Sequence, residues 1–387
     1  MRKTLLLLTL LTLAGCVSVP PMKQINPELP VAWQETGSSG DTPAKVAAEW
    51  WKAYNDPVLD QLMAEALEHN RDVLLAAARI SEVRANLGLA DADRYPEVQL
   101  AGNIGRSKNT GKGNTPASVP LTNNNFKLDL QAAWELDLWG RYKEASAAAR
   151  GDLLASEFAR SGVQSSLTGT VAQSYFALAA LDANLALTQK TLNNRQEAVK
   201  LQRLRFENGI SSELVLRQAE AELAGIATSQ AQLIQQLRQQ ELALAVLLGR
   251  EPRSLAQVSV ARGTPLFKLS MPPVVPAGLP SDLLLRRPDL RQAEQKLLSS
   301  QARIRETAAA IYPNLSLTAN LGSESKALTD LFSGPAGIWG LAAGFSQTLF
   351  NAGRTKAAVN AAGARQDQAL IAYEQAVLVA FQEVYDA

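Results

Sequence analysis

The sequence predicts a mostly α-helical protein with membrane β-strands, built from a duplicated unit of helix, β-hairpin and long helix. The first observation is a repeat: an Asp followed by a Tyr-Pro pair in residues 72–96 recurs with equal spacing in residues 289–313. The second is that a segment of alternating apolar and polar residues follows each pair, and the third is the absence of proline between Pro120 and Pro252. A period this long exceeds that of solenoid proteins, so we expect two copies of one supersecondary unit.

Composition argues against catalysis and against nucleic acid as a partner. The chain has 38 basic and 37 acidic residues and a net charge of +1, which gives no basic patch for nucleic acid. It has one His and one Cys, whereas metal sites and Cys/His nucleophiles need several such residues. We find no phosphate-binding glycine loop and no nucleophile elbow. We therefore expect no enzyme activity, no catalytic residue, no metal site and no bound cofactor.

The N-terminus predicts export and lipid attachment. Basic residues 2–3 precede an apolar run over residues 4–14, which is too short to span a bilayer. Residues 13–16 read Leu-Ala-Gly-Cys, which resembles the lipobox of bacterial lipoproteins. This resemblance implies a signal peptide over 1–15 and a covalent diacylglycerol and N-acyl lipid on Cys16. An ordinary signal peptide with an incidental Cys is the alternative.

The first structural repeat is expected over residues 51–250, after a lipidated leader over residues 16–50. Asp56 is a suitable N-cap for a helix that starts at Pro57 and continues to about Asp93. A β-hairpin over 97–138 follows, and then a long helical hairpin over 141–248. Its two helices cover 141 to about 207 and 212 to 248, with Gly209 at the C′ position of the first and Ser211 or Ser212 capping the second.

The clearest strand runs from Phe126 to Leu138. One face is apolar and the other polar, and the strand is long for a soluble sandwich but suits a membrane strand of roughly 9–11 residues. Strands of a soluble protein are the alternative. The apolar face contains Phe126, Leu128, Leu130, Ala132, Trp134, Leu136 and Leu138. The polar face supplies the pore-lining candidates Lys127, Asp129, Gln131, Glu135 and Asp137.

The second structural repeat is expected over residues 282–387, after a proline-rich connector over 251–281. Its hairpin covers 314–349, and a long helix begins near Asn351 and still continues at Ala387. Because the first repeat continues well past the matching point, we expect a C-terminally truncated chain. The water-facing positions are Asn314, Ser316, Thr318 and Asn320, and the lipid-facing positions are Trp339, Leu341, Ala343 and Phe345.

The predicted strands require partners, because four membrane strands are too few to close a barrel. An open edge in lipid leaves backbone N–H and C=O groups unsatisfied, at several kcal/mol for each group. Oligomerisation therefore follows from the residues, although the number of copies does not.

Several local strings are similar to the outer membrane efflux protein family, the TolC-like channels. The resemblance covers the whole mature chain and is most specific for the NodT-type outer membrane lipoproteins of resistance-nodulation-division efflux systems. The strings are Trp50-Trp51, residues 56–59 (Asp-Pro-Val-Leu), residues 278–290, residues 312–317 and Gly353-Arg354.

The family resemblance implies a homotrimer, in which a 12-stranded outer-membrane β-barrel joins a periplasmic α-helical barrel. Such a trimer is a lipid-anchored, passive exit duct for drugs and other toxic small molecules. It is served by a periplasmic membrane-fusion adaptor and an inner-membrane resistance-nodulation-division pump. The turn of the helical hairpin is implied to be the adaptor-docking tip, and the aperture residues fall beyond Ala387. The tip candidates are Arg205, Phe206, Glu207, Asn208, Gly209, Ser211, Ser212 and Glu213.

Three other functions remain open at this point. An exit channel for type I protein secretion is the nearest, and a dedicated copper or silver duct is the second, although the sequence has only four Met. The third is a structural lipoprotein that tethers the outer membrane, which needs neither the duplication nor the strands.

Overall fold

The computed structural model describes residues 49–112, 120–255, 259–269 and 286–386. Cys16, the signal peptide, most of the leader and most of the 278–290 string lie outside these residues. The chain forms two compact units, which we call the strand unit and the helical unit. The strand unit contains Ile80–Ser156 and Leu290–Ala387, and therefore takes segments from both predicted repeats. The helical unit contains the described residues between Glu157 and Asp289 and those up to Arg79.

The helical unit starts with a single 3₁₀ turn, Trp50–Tyr54, followed by helix α1, Pro57–His69. Asp56 is the N-cap as predicted, because its Oδ1 accepts hydrogen bonds from the backbone N–H of Val58 at 2.9 Å and of Leu59 at 3.4 Å. These bonds satisfy two of the amides that a helix N-terminus leaves without an intrahelical partner.

The prediction of one helix from Pro57 to about Asp93 was wrong. Helix α1 ends at His69, Asn70 is extended (φ −60°, ψ 132°), and helix α2 covers Arg71–Ala92. Asn70 Oδ1 accepts the backbone N–H of Asp72 at 2.9 Å, and its Nδ2 donates to the carbonyl of Leu247 at 2.9 Å. The Asn70 side chain thus caps the start of α2 and links the break to the end of α4, which apolar periodicity alone does not reveal.

The two long helices were predicted accurately. Helix α3 covers Arg141–Glu207 and helix α4 covers Glu213–Leu247. Gly209 has φ +72°, its N–H donates to Phe206 O, and the N–H of Ile210 donates to Arg205 O. This is the Schellman arrangement expected of a C′ glycine. Ser212 occupies the N-cap position of α4, but its side chain makes no capping hydrogen bond.

The core of the helical unit packs α1, α3 and α4 together. Its fully buried side chains include Leu59, Met63, Leu178, Leu244 and Leu248. A short helical turn, Pro252–Leu255, follows α4.

A buried carboxylate joins three parts of this core. Asp56 Oδ2 accepts the hydroxyl of Tyr175 at 2.6 Å and the backbone N–H of Thr264 at 3.0 Å. Burial alone would raise the pKa of the Asp56 carboxyl, but these hydrogen bonds outweigh it and hold that pKa below its usual range.

The strand unit contains a 4-stranded antiparallel sheet in the order β1-β2-β3-β4. The strands are β1 (Glu97–Lys108), β2 (Thr122–Glu135), β3 (Asn314–Ser325) and β4 (Gly337–Ser346). Helices α5 (Pro288–Ala309) and α6 (Arg354–Asp386) complete the unit. Among the described residues, every helix is too short or too polar to cross a bilayer.

Candidate functional site

The register of the sheet sorts its residues onto two faces, as the alternation predicted. One row of cross-strand partners contains Leu100, Leu130, Leu321 and Trp339. The neighbouring row contains Gln99, Gln131, Asn320 and Gly340. Because side chains alternate along a strand, the first row lies on one face of the whole sheet and the second row on the other. We call these the apolar face and the polar face.

Large side chains of the apolar face are exposed. Ile104 is 79% exposed, Trp339 80%, Leu341 76% and Phe345 71%. Contiguous apolar surface of this kind marks contact with a membrane or another protein. These exposures show that no described residue of the chain packs over these side chains of the apolar face.

The polar face carries a hydrogen-bonded cluster on β1 and β2. Lys127 Nζ lies 3.1 Å from Asp129 Oδ2, and Gln131 Nε2 donates to the same oxygen at 3.1 Å. Gln99 Nε2 donates to Gln131 Oε1 at 3.3 Å, which extends the cluster across the strand pair. A cavity of about 300 Å³ lies over these residues and Asn320. Three of the five pore-lining candidates, Lys127, Asp129 and Gln131, thus form one cluster.

Glycines on the polar face of the second hairpin make room for its neighbours. A Cβ at Gly322, which is paired with Asp129, would lie 2.2 Å from the carbonyl oxygen of Leu128. A Cβ at Gly340 would meet Asn320 Oδ1 at 2.5 Å. The close approach of these strands therefore depends on residues without a side chain.

Asp137 is not a strand residue, so the prediction of a strand through Leu138 was wrong. Strand β2 ends at Glu135. Asp137 Oδ1 accepts the backbone N–H of Tyr142 at 3.2 Å, and its Oδ2 accepts that of Lys143 at 2.8 Å. The carboxylate thus satisfies amides in the first turn of α3. The strand ends before Asp137, although the apolar–polar alternation of the sequence continues to Leu138.

Glu135 faces the same junction and is held by α3. Its Oε2 accepts from Arg141 Nη2 at 3.1 Å and from the Tyr142 hydroxyl at 3.0 Å. Burial, together with the hydrogen bond to Glu135, raises the pKa of Tyr142.

Trp139 and Tyr312 form a ring stack that sequence reasoning missed. Their ring centroids lie 4.8 Å apart at an interplanar angle of 19°, and Trp139 Nε1 donates to the carbonyl of Pro313 at 2.7 Å. The sequence marked Tyr312 only as part of the Tyr-Pro pair that both repeats share. Nothing in the sequence shows which aromatic residue contacts that tyrosine.

The tip of the helical unit contains all eight predicted tip residues. Its exposed apolar side chains are Phe206, Ile210 and Leu214, of which Ile210 is 76% exposed. Arg203 Nη2 lies 2.8 Å from Glu220 Oε1, and Arg217 contacts both Glu220 and Glu213. The tip therefore presents exposed apolar side chains next to a group of ion pairs, of which Arg203–Glu220 links α3 to α4. The predicted residues are Arg205, Phe206, Glu207, Asn208, Gly209, Ser211, Ser212 and Glu213.

Comparisons with known proteins match nearly the whole chain. The family model of the outer membrane efflux protein matches residues 62–250 and 279–387. The probable outer membrane lipoprotein SilC of Salmonella typhimurium is 34% identical over 388 residues, covering 99% of this chain and 82% of SilC. The toluene efflux pump outer membrane protein TtgI of Pseudomonas putida is 35% identical over 395 residues, covering 99% of this chain and 82% of TtgI.

The fold agrees with that of a solved channel. The Campylobacter jejuni CmeC outer membrane channel superimposes with a TM-score of 0.86 at 24% identity, over 95% of this chain and 78% of CmeC. The family match and the two relatives show that the chain belongs to the outer membrane efflux protein family.

Proposed function

We propose that the chain forms, as a homotrimer, the exit duct of a tripartite efflux system, and that it carries small toxic molecules passively across the outer membrane. A periplasmic membrane-fusion adaptor and an inner-membrane pump of the resistance-nodulation-division class are its partners in this proposal. The observation that carries the proposal is the two-faced sheet, in a chain whose family consists of outer membrane efflux proteins.

The edges of the sheet support oligomerisation. Strands β1 and β4 each pair with a neighbour on one side only among the described residues. Within a bilayer such edges leave backbone groups unsatisfied, so copies of the chain must supply the missing pairing. Three copies of a 4-stranded sheet make the closed 12-stranded barrel that the family resemblance implies.

The two faces support the assignment of lipid and lumen. The apolar face would contact acyl chains, and the polar face would keep the lumen hydrated. Lys127, Asp129, Gln131 and Glu135 are then pore-lining residues. Asp137 keeps its hydrogen bonds to α3 and lies at the end of the lumen wall.

The tip supports adaptor docking. Ile210 and Leu214 give an exposed apolar contact, and the ion pair between Arg203 and Glu220 links α3 to α4 beside it. A preformed apolar contact loses little entropy on binding. We expect Ile210→Asp to weaken capture by the adaptor in a pull-down from membranes, with Leu187→Asp, an exposed position along α3, as the matched control.

Cys16 is proposed as the lipid attachment site, in line with the lipoprotein named among the relatives. Mass spectrometry of the mature N-terminal peptide tests this directly. A diacylglyceryl and N-acyl mass on Cys16 supports it, and an unmodified thiol or cleavage elsewhere contradicts it.

Conductance tests the duct itself. Purified protein in planar lipid bilayers is expected to give steady current steps that appear only with the trimer fraction from size-exclusion chromatography. Absence of current from a folded trimer would contradict the proposal, as would equal current from monomers.

A further inference from the structure

We propose that the stacked rings of Trp139 and Tyr312 form a contact site for planar aromatic cations that pass through the duct. This inference rests on the proposed function. The stack is not needed to close the sheet, because strand β2 ends at Glu135 and strand β3 begins at Asn314. It lies where the strands meet the helices of the strand unit.

The position of the stack relates it to the lumen. A cavity of about 200 Å³ beside the rings is also lined by Glu135, Asn314 and Ser346. Asn314 and Ser346 are cross-strand partners, and Glu135 lies opposite Ser316, so all three belong to the polar face. A molecule that moves along the polar face therefore passes the stack.

The rings are exposed and held in place. Trp139 is 49% exposed and Tyr312 52%, so about half of each residue stays accessible. The hydrogen bond from Trp139 Nε1 to Pro313 O fixes the indole, and the tyrosine ring stacks on it. A third planar ring can add to such a pair without first ordering either side chain, which keeps the entropy cost of binding low.

The charges around the cavity favour a cation. Its lining includes the carboxylates of Glu135 and Asp137 and one guanidinium, that of Arg141. The faces of aromatic rings also carry a negative partial charge and attract cations. A planar aromatic cation meets both requirements, whereas an anion of the same shape meets only the stacking requirement.

The internal duplication supplies a matched control. Gly353-Arg354 corresponds to Gly140-Arg141, so Trp139 corresponds to Ala352, while Tyr312 corresponds to Tyr95. Tyr95 is 69% exposed and makes no ring contact among the described residues. Within the described ranges, the chain therefore offers the Trp139–Tyr312 stack and one equivalent tyrosine without a stacking partner.

Equilibrium binding of ethidium, a planar aromatic cation, tests the inference on the purified protein in detergent. We expect Trp139→Leu and Tyr312→Leu each to raise the dissociation constant about two- to tenfold, the range of one aromatic contact. Trp139→Phe should restore most of the affinity, which separates the ring from the hydrogen bond, and Tyr95→Leu should leave it unchanged. Fluorescein, a planar anion, should bind more weakly than ethidium.

An unchanged dissociation constant in both Leu variants would overturn the inference, as would an equal loss in Tyr95→Leu. Size-exclusion chromatography and thermal midpoints show which variants remain folded. One folded Leu variant is enough to test the contribution of the stack to binding. Conductance without ethidium is measured on the same preparations. If the protein conducts but its ethidium affinity is unchanged in both Leu variants, only this inference is contradicted. If a folded trimer does not conduct, the proposed duct function is contradicted.

Discussion

The helical unit and the sheet use the same residue types in opposite ways. In the helical unit, Leu59 and Leu248 are completely buried by residues of the same chain. In the sheet, Leu130 is 48% exposed and Leu341 76% exposed. One region thus buries these apolar side chains with residues of the same chain, and the other leaves them exposed. The difference indicates that the stability of the isolated chain depends more on the buried leucines of the helical core than on the exposed apolar face of the sheet.

Removing a buried leucine should have the largest effect. Leu59→Ala creates a cavity in the core, and we expect the free energy of unfolding to fall by about 2–5 kcal/mol. Leu130→Ala on the apolar face should change it by less than about 1 kcal/mol in detergent, because that side chain is already half exposed. Guanidinium unfolding of both variants measures the comparison. Equal losses would show that the sheet contributes to the same core.

A charge on the apolar face should reduce insertion into the membrane without changing the stability of the helical core. Leu130→Arg places a guanidinium toward lipid and is expected to cost about 2–4 kcal/mol near the bilayer midplane. Gln131→Arg, one residue away on the polar face, is the matched control and should insert normally. The yield of assembled trimer in outer-membrane fractions measures both. Equal yields would contradict the assignment of the two faces.

Asp56 should make the helical core sensitive to acid. Its folded pKa lies below its unfolded value of about 3.9, so the carboxylate stabilises the fold above about pH 4. That contribution disappears as the pH falls through the folded pKa. Asp56→Asn should cost about 1–2 kcal/mol at neutral pH and should flatten the acid limb of stability against pH.

Glu68→Gln removes an exposed carboxylate from the same helix and serves as the control for Asp56→Asn. Its acid limb should follow that of the parent protein. An acid limb unchanged in Asp56→Asn would show that other groups cause the acid sensitivity.

Neutralising the polar face should have the smallest effect. Asp129→Asn removes one charge per chain but keeps a hydrogen-bonding side chain in the cluster with Lys127 and Gln131. In a wide, hydrated pore this should shift the ratio of cation to anion permeability by less than about twofold. Reversal potentials in a salt gradient measure the ratio. A shift of tenfold or more would mean that Asp129 lies at a narrow constriction.

Residue periodicity in the sequence predicted the long helices and the two faces of the sheet. It did not predict the features that depend on contacts of single side chains. Apolar spacing and a glycine placed α3 and α4 to within a residue, and alternation assigned the faces of the sheet. The break at Asn70 includes a hydrogen bond to the distant carbonyl of Leu247, which no local pattern records. Asp137 instead accepts amides only five and six residues along the chain, and apolar–polar alternation does not reveal such a cap. The pairing of Trp139 with Tyr312 joins the two repeats and follows only from the tertiary structure.

The central claim, that the apolar face meets lipid and the polar face meets water, is tested most directly by spin labels on neighbouring positions. Leu130→Cys and Gln131→Cys are labelled in the trimer reconstituted in lipid vesicles, with the unsubstituted protein as the blank for Cys16. We expect lipid-soluble oxygen to relax the label at 130 more strongly, and a water-soluble nickel complex to relax the label at 131 more strongly. Nickel access at both positions, or the reverse pattern, would contradict the account.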